Sequence, residues 1–308
     1  MSRTLILSDI HHRHARAQSI IDKVPHDELV LLGDYFDNYN DTVQDAVDTA
    51  EWLTEKILGK PNTFAMIGNH DAAYVFPQNL HLYCGGHSHE KSDAINKVLT
   101  SEYKDKLKVY HITQGYVCSH AGLTNQKWKE YSAKFDQKPE QTYLQFFDEV
   151  MSYFVQLDIR RARYNENAEL FAAGWDRGGT SRYGGMNWVD WRNLAPINGI
   201  NQIVGHSTYA IPQILIQKEG GALSKKDVTE HYKLQANIEK YKLISKQPVS
   251  ANIIEPKYLS VSYNLDTNSN HYMVIEDGVV NIYDYQTHMN LREMGNYYIP
   301  DSSMNTLS

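Results

Sequence analysis

Thr4-Leu5-Ile6-Leu7-Ser8-Asp9-Ile10-His11 is a short apolar run that stops at a hydroxyl, a carboxylate and an imidazole. A run of this length, bounded by polar residues, reads as a buried strand feeding a loop. The pattern recurs along the chain. Glu28 to Leu32 ends in Gly33-Asp34, and Asn62 to Ile67 ends in Gly68-Asn69-His70. Gly115 to Ser119 ends at His120, and Asn201 to Val204 ends in Gly205-His206. Five times an apolar run closes on a residue able to bind a cation.

Helical periodicity fills the gaps. Ala15 to Lys23 is expected to be a helix. Val43, Ala46, Val47, Ala50, Leu53 and Ile57 recur at intervals of about three and four, as on one face of a longer helix. Tyr143, Phe147, Val150, Met151 and Phe154 mark another. Strands alternating with helices predict an α/β sheet. In such sheets the ligand site lies outside the carboxyl ends of the strands. The five polar residues fall at those ends, so residues distant in sequence are expected to converge. We expect one domain over residues 1–308, with an aromatic, helical, cap-like segment at about 125–175. A polar, Lys-rich insertion at about 218–250 is expected to be helical. Residues 258–284 read as strands, with Glu276-Asp277-Gly278 as a hairpin turn.

Bulk properties narrow the function classes. The 308 residues are 42% hydrophobic, enough for a real core. A formal net charge of −7 gives no long-range attraction to nucleic acid or to an anionic membrane. The N-terminal segment does not read as a signal peptide, and no apolar run is long enough to span a bilayer. Cys84 and Cys118 are too few for a disulfide framework and read as reduced thiols. A cytoplasmic protein is expected.

The strand-end residues suit one chemistry. Asp9 and His11 lie two apart, so an extended backbone points both side chains the same way. With Asp34, Asn69, His120 and His206 they make a mixed carboxylate, imidazole and amide set. Such a set suits Mn, Fe, Zn, Co or Ni, with Mn the first expectation. Two cations about 3.5–4 Å apart neutralise a phosphoester and align its attack. Water between them ionises near neutral pH, with a pKa of about 7 in favourable sites. A carboxylate between two such cations is needed to offset their repulsion.

Asp9-Ile10-His11, Gly33-Asp34-Tyr35-Phe36-Asp37, Gly68-Asn69-His70-Asp71, Ser119-His120-Ala121-Gly122 and Val204-Gly205-His206-Ser207 together resemble the calcineurin-like metallophosphoesterase superfamily. The His-Ala-Gly and Gly-His-Ser blocks resemble its phosphoprotein phosphatase branch, the serine/threonine phosphatase-like type that includes phage and bacterial members. The resemblance covers about residues 1–210 and extends weakly to Tyr263-Asn264-Leu265-Asp266-Thr267. It implies a four-layer α/β/β/α sandwich and a two-metal phosphoester hydrolase. It also implies that Asp9 and His11 hold one metal, that Asp34 bridges both, and that Asn69, His120 and His206 complete the second. His70 would protonate the leaving group, oriented by Asp37, while a hydroxide bridging the metals attacks phosphorus.

The chain departs from that pattern at two places. His12 stands where the branch has Gly, and Asn38 stands where it has a phosphate-clasping Arg. Asn38 offers a neutral hydrogen bond in place of a bidentate charge. Arg177, in Gly174-Trp175-Asp176-Arg177-Gly178-Gly179, resembles the family's second phosphate-binding Arg and is the first candidate to compensate, with Arg182 the second. Gly86-His87-Ser88-His89 matches a metal-binding block of the wider superfamily but falls too early in the chain, and reads as a substrate-side or lid loop. Asp71 reads as a ligand-orienting or capping residue, and His12, His14 and His81 as polar loop residues. The substrate is expected to be a phosphoprotein, a small phosphoester or a nucleotide. A nucleotide-directed hydrolase acting on dinucleoside polyphosphates or nucleic-acid ends is the alternative, with 22 Tyr and 5 Trp available for stacking. A non-catalytic binding module on the same scaffold is a third reading.

Overall fold

Alternation along single strands sets the layers. In the strand Arg3–Leu7 (β1), Leu5 and Leu7 point into one apolar cluster and Ile6 into another. In Glu28–Leu31 (β2), Leu29 and Leu31 side with the first cluster and Val30 with the second. A strand apolar on both faces must be covered on both. The computed structural model, which describes residues 2–219, 221–233 and 258–294, meets that demand with two facing sheets and helices outside them.

In the first sheet β1, β2 and Thr63–Ala65 (β3) run parallel. The other sheet is built on Tyr110–Thr113 (β4), Tyr116–Ser119 (β5), Asn201–Val204 (β6), Gln213–Lys218 (β7), Leu223–Asp227 (β8) and Tyr258–Asn264 (β9). The hairpin His271–Glu276 (β10) and Val279–Asp284 (β11) returns to the first sheet beside β1, giving the order β11-β10-β1-β2-β3. The second sheet has the order β4-β5-β6-β9-β7-β8, with β5, β6 and β9 parallel. Ile6, Val30, Ile203, Ile214, Met273 and Ile282 fill the space between the sheets. The architecture is the expected layered α/β sandwich.

The expected helices form. His14–Lys23 (α1) and Val43–Trp52 (α2) bury Ile20, Ala46 and Ala50 against the first sheet. The second is started by a capping box between Thr42 and Asp45 and runs on as a wide π-turn over Leu53–Ile57. Asn69–Val75 (α3) follows β3 directly, and His89–Val98 (α4) packs beside α2. Ser101–Lys104 (α5) is a single turn. In the aromatic stretch, Asn125–Ser132 (α6) and Tyr143–Arg163 (α7) join Trp128, Phe147 and Phe154 into the core, while Tyr153 and Tyr164 stay exposed.

The expectation of a helix from residue 218 is corrected. The polar segment opens as the hairpin β7–β8, and its residues pair in register from Gln213↔Asp227 to Gln217↔Leu223. Ile214 and Ile216 alternate inward, so the strand period prevails over the Lys-rich helical composition. Helix begins only at 228–233, and 234–257 lies outside the described residues. The hairpin turn at Asp277-Gly278 is as expected, with both residues at positive φ.

Candidate metal centre

β1, β2 and β3 run in one direction, and so do β5, β6 and β9. Their carboxyl ends deliver Asp9, Asp34, Asn69, His120 and His206 to one place. The loops there are tightly wound. Asp9, His11, Asp34, Asp37 and His206 all lie at positive φ, between 42° and 70°. L-residues avoid this region, and clusters of it mark functional sites whose surroundings hold the strain. Two glycines make the room. A Cβ on Gly68 would fall on the Asp34 carboxylate, and one on Gly205 on the Asp9 carboxylate and the Ser8 hydroxyl.

Two triads of ligand atoms result, Asp9/His11/Asp34 and Asp34/His120/His206, each with its atoms within 4.8 Å of one another. Asp34 belongs to both. Its Oδ2 is 3.6 Å from His11 Nε2 and 3.4 Å from His120 Nε2. Asn69 Oδ1 sits 2.9 Å from His120 Nε2 and 2.8 Å from His206 Nδ1. All six residues named from the sequence are thus brought together.

The hydrogen bonds show what these atoms face. His120 Nδ1 donates to the Leu32 carbonyl at 2.9 Å. That leaves Nε2 facing the Asp34 and Asn69 oxygens, the nitrogen that would turn its lone pair on a cation there once its proton is displaced. His11 Nδ1 likewise meets the carbonyls of Phe36 and Asp37 at 3.1 and 2.6 Å, leaving Nε2 toward Asp34. His206 Nε2 is buried with no hydrogen-bond partner. Carbonyl-anchored imidazoles with their free nitrogens turned on carboxylates are the arrangement of metal ligands. The residues present therefore fit divalent ions.

The electrostatics agree. Burial would raise the Asp34 carboxyl, but His120, His70 and His11 hold it well below the ordinary carboxylate range. Burial opposes charge on His120 and His70. Even so, the Asp34 carboxylate helps lift them to about 9 and about 12, His70 with added help from Asp37. Carboxylates that draw protons onto His120 and His70 favour a cation between them, whereas burial and the neighbouring His120 hold His206 down at about 3, so that ring stays neutral.

A cleft of about 550 Å³ opens onto this cluster. His70 lies in it, with Nδ1 3.3 Å from Asp37 Oδ2. Asn38 and Arg177 line it as expected. Asn38 Oδ1 is occupied by the Tyr39 N–H at 2.8 Å, and Arg177 pairs with Asp190 at 3.2 Å. Arg182 is corrected. It faces a separate hollow with Lys127 and Glu169 and stacks on Tyr183, because the turn through Gly178, Gly179 and Gly184 carries it away from the cleft. Cys84, Gly85 and Gly86 line the cleft, but His87 stacks on Tyr83 at 4.0 Å and Ser88 caps α4. Of the block Gly86-His87-Ser88-His89, only Gly86 borders the cleft. His12 bonds Thr49 and Asp41, and His14 contacts Thr49.

Asp71, read from the sequence as a ligand-orienting or capping residue, does both. Its carboxylate accepts from the backbone N–H groups of Asp34, Tyr35 and Gly68 at 2.7–2.8 Å, stitching two ligand loops together. Sequence reasoning missed the other partners. Lys91 and Tyr74 both reach Asp37 Oδ1 at 2.6 Å. Arg13 lines the cleft, and among the described residues its guanidinium makes no hydrogen bond or ion pair. Its place, two residues after His11, was the available signal.

Residues 2–210 match the family model described as calcineurin-like phosphoesterase. No curated protein matches the chain. Among solved structures, a metallophosphoesterase from Sphaerobacter thermophilus is 14% identical, covering 92% of this chain and 87% of its own, with a TM-score of 0.40. A cold-active protein-tyrosine phosphatase of a psychrophilic Shewanella is 11% identical, covering 94% and 80%, with a TM-score of 0.46. A protein serine/threonine phosphatase from Saccharomyces cerevisiae is 13% identical, covering 94% and 83%, with a TM-score of 0.35. Among the described residues no helix is long and apolar enough to cross a membrane.

Proposed function

Because the chain belongs to the calcineurin-like phosphoesterase family, we propose that it is a two-metal phosphomonoesterase of the phosphoprotein phosphatase branch. The observation that carries this reading is one buried carboxylate, Asp34, common to two triads of ligand atoms. Asp9, His11 and Asp34 hold one divalent ion. Asp34, Asn69, His120 and His206 hold the other. Manganese suits this oxygen and imidazole set, which contains no thiolate. The ion pair, when bound, neutralises the phosphoester and supplies ionised water at neutral pH.

The chain's own residues do the rest. Arg177 and Arg13 bring positive charge to the cleft, where the phosphoryl oxygens lie. His70 offers a proton to the departing oxygen. Asp37 steadies the ring through Nδ1 and favours its protonated form, so Nε2 faces the leaving group. Asp37 is itself held by Lys91 and Tyr74. Both cysteines are free thiols, which fits a reducing, cytoplasmic setting.

The test is a matrix of metals against substrates. Protein stripped and reloaded with two equivalents per chain of Mn²⁺, Fe²⁺, Zn²⁺, Co²⁺ or Ni²⁺ is expected to release phosphate from phosphopeptides or aryl phosphates, best with Mn²⁺ and least with Zn²⁺. No release from any substrate with any metal would sink the reading. A second reading rests on the cleft's aromatics. Tyr39 is 96% exposed at the rim, beside Asn38, and Trp188 lines the interior. Both can stack on a base. A preference for nucleotides over phosphopeptides of more than about tenfold, some 1.4 kcal/mol, would favour it.

A further inference from the structure

Beside the two triads lies a third group, Asp37, His70 and Cys84, whose ligand atoms are also within 4.8 Å of one another. We propose that these three residues form a separate zinc-binding site, and that zinc bound there switches the enzyme off. The inhibitory consequence rests on the role given to His70 above. The site itself does not.

The distances carry the argument. Zinc bonds are about 2.0–2.1 Å to imidazole, about 2.0–2.2 Å to carboxylate and about 2.3 Å to thiolate. At tetrahedral angles those bonds separate nitrogen from oxygen by about 3.4 Å and nitrogen from sulfur by about 3.6 Å. His70 Nδ1 lies 3.3 Å from Asp37 Oδ2 and 3.6 Å from Cys84 Sγ. Two edges of a zinc tetrahedron are thus already in place. One Nδ1–H cannot point at both neighbours, and the Cys84 thiol has the Asn69 carbonyl at 3.5 Å as its own acceptor, so Sγ lies beside Nδ1 without needing its proton.

The chain is built to bring these atoms together. Gly86, at φ +93°, passes so close to Asp37 that a Cβ there would come within 2.8 Å of the Asp37 Cβ. That approach lays the 84–86 loop against Asp37 and His70. Cys84 is half-buried and borders the cleft, so an ion can enter and the cleft's solvent can fill the fourth position. Among the described residues, Lys91 is the Lys or Arg that pairs with Asp37. It contacts Asp37 Oδ1, leaving Oδ2 to the site, and Asp41 at 2.9 Å offsets its charge. A thiolate, an imidazole and a carboxylate select zinc over manganese, whereas the thiol-free triads around Asp34 suit manganese.

Binding balances simply. Zn²⁺ displaces one proton from His70 Nδ1 and one from Cys84 Sγ, and both leave to solvent. His70 is then pinned to zinc and detached from Asp37's orientation, and it cannot cycle its proton.

Cobalt makes the site visible, since a thiolate bound to Co²⁺ absorbs strongly in the near ultraviolet. Wild-type protein with both manganese positions filled is titrated with Co²⁺, and then with Zn²⁺. The expected result is one further equivalent of Co²⁺ with the thiolate band, which zinc abolishes. Cys84→Ala and Cys84→Ser should show no band and should bind one zinc fewer. Zinc inhibition, measured against each variant's own zinc-free rate, should weaken by at least about tenfold. Absence of the band in the wild type, or equal zinc content and inhibition in wild type and both variants, overturns the proposal. A band in a protein that hydrolyses no phosphoester keeps the site and removes the phosphatase reading. Hydrolysis without a band does the reverse.

Discussion

Lys91 Nζ lies 2.6 Å from Asp37 Oδ1 and 2.9 Å from Asp41 Oδ2, buried to 5% exposure and 54 positions along the chain from Asp37. Burial would push the Asp37 carboxyl up, but His70, Lys91 and Tyr74 hold it below its ordinary value. Removing one member of a buried ion pair strands the other, at a cost of about 3–5 kcal/mol. Lys91→Met is therefore expected to destabilise the fold by about 3 kcal/mol, the lower end, because Tyr74 still bonds Asp37. Urea unfolding checks this. An unchanged midpoint would show that the pair contributes nothing net.

Gly68→Ala places a methyl group on the Asp34 carboxylate. Metal affinity is expected to fall by at least about 10–100-fold, the loss seen when even a supporting partner of a ligand is removed. Gly85→Ala is the control, since a Cβ there meets nothing within 4 Å. Elemental analysis after dialysis against Mn²⁺ should separate the two. Equal metal content in both variants would count against Asp34 as a shared ligand.

His70→Asn should lower kcat by about 10²–10⁴-fold, the usual worth of a placed acid. Manganese content should be unchanged, because His70 lies outside both Asp34 triads. Activity should recover in part on substrates with very acidic leaving groups, which need no proton. Loss of bound manganese would instead make His70 a ligand of the Asp34 centre.

Arg13→Gln should raise KM, and the inhibition constant of inorganic phosphate, by about tenfold, with a smaller change in kcat. The guanidinium makes no hydrogen bond or ion pair among the described residues, so little stability should be lost. Asn38→Arg in the Arg13→Gln background should restore part of the affinity. If phosphate inhibits wild type and Arg13→Gln equally, Arg13 makes no phosphate contact.

Glu28 ties the two sheets together. It accepts from Thr4 Oγ1 and from Thr113 Oγ1, and meets His111 Nε2 at 2.8 Å. Burial would raise its carboxyl, but bonds from His111, Thr113 and Thr4 hold it below 4.5. A depressed carboxyl stabilises the fold above its unfolded value, and that contribution fades as pH falls through the folded one. Wild type should therefore lose stability on acidification below pH 4.5 more steeply than Glu28→Gln. Parallel profiles in denaturant unfolding would exclude the contact as a source of acid sensitivity.

The main elements were legible because each carries a local signature. β1 and β2 are apolar runs, and α2 has both its three-and-four spacing and a Thr42–Asp45 box. The hairpin β7–β8 was not legible, since Lys225 and Lys226 raise helical propensity while the alternation of Ile214 and Ile216 emerges only beside β9. Asp34 and the five residues around it were readable because every parallel strand must end on the same side of its sheet. Lys91 and Tyr74 were not, because each looks like an ordinary helix residue until α3 and α4 are placed.

Sequence alone thus determined which ligand-type residues close the parallel strands and that they must meet at strand ends, because strand direction and side-chain type are properties of the chain itself. Only the tertiary structure decided the second tier. It made Asp71 a clasp across two loops, turned Arg182 away and left Arg13 in the cleft, and set Cys84 against His70. Those outcomes depend on the path of glycine-bearing loops between elements, and loop paths are set by what packs around them.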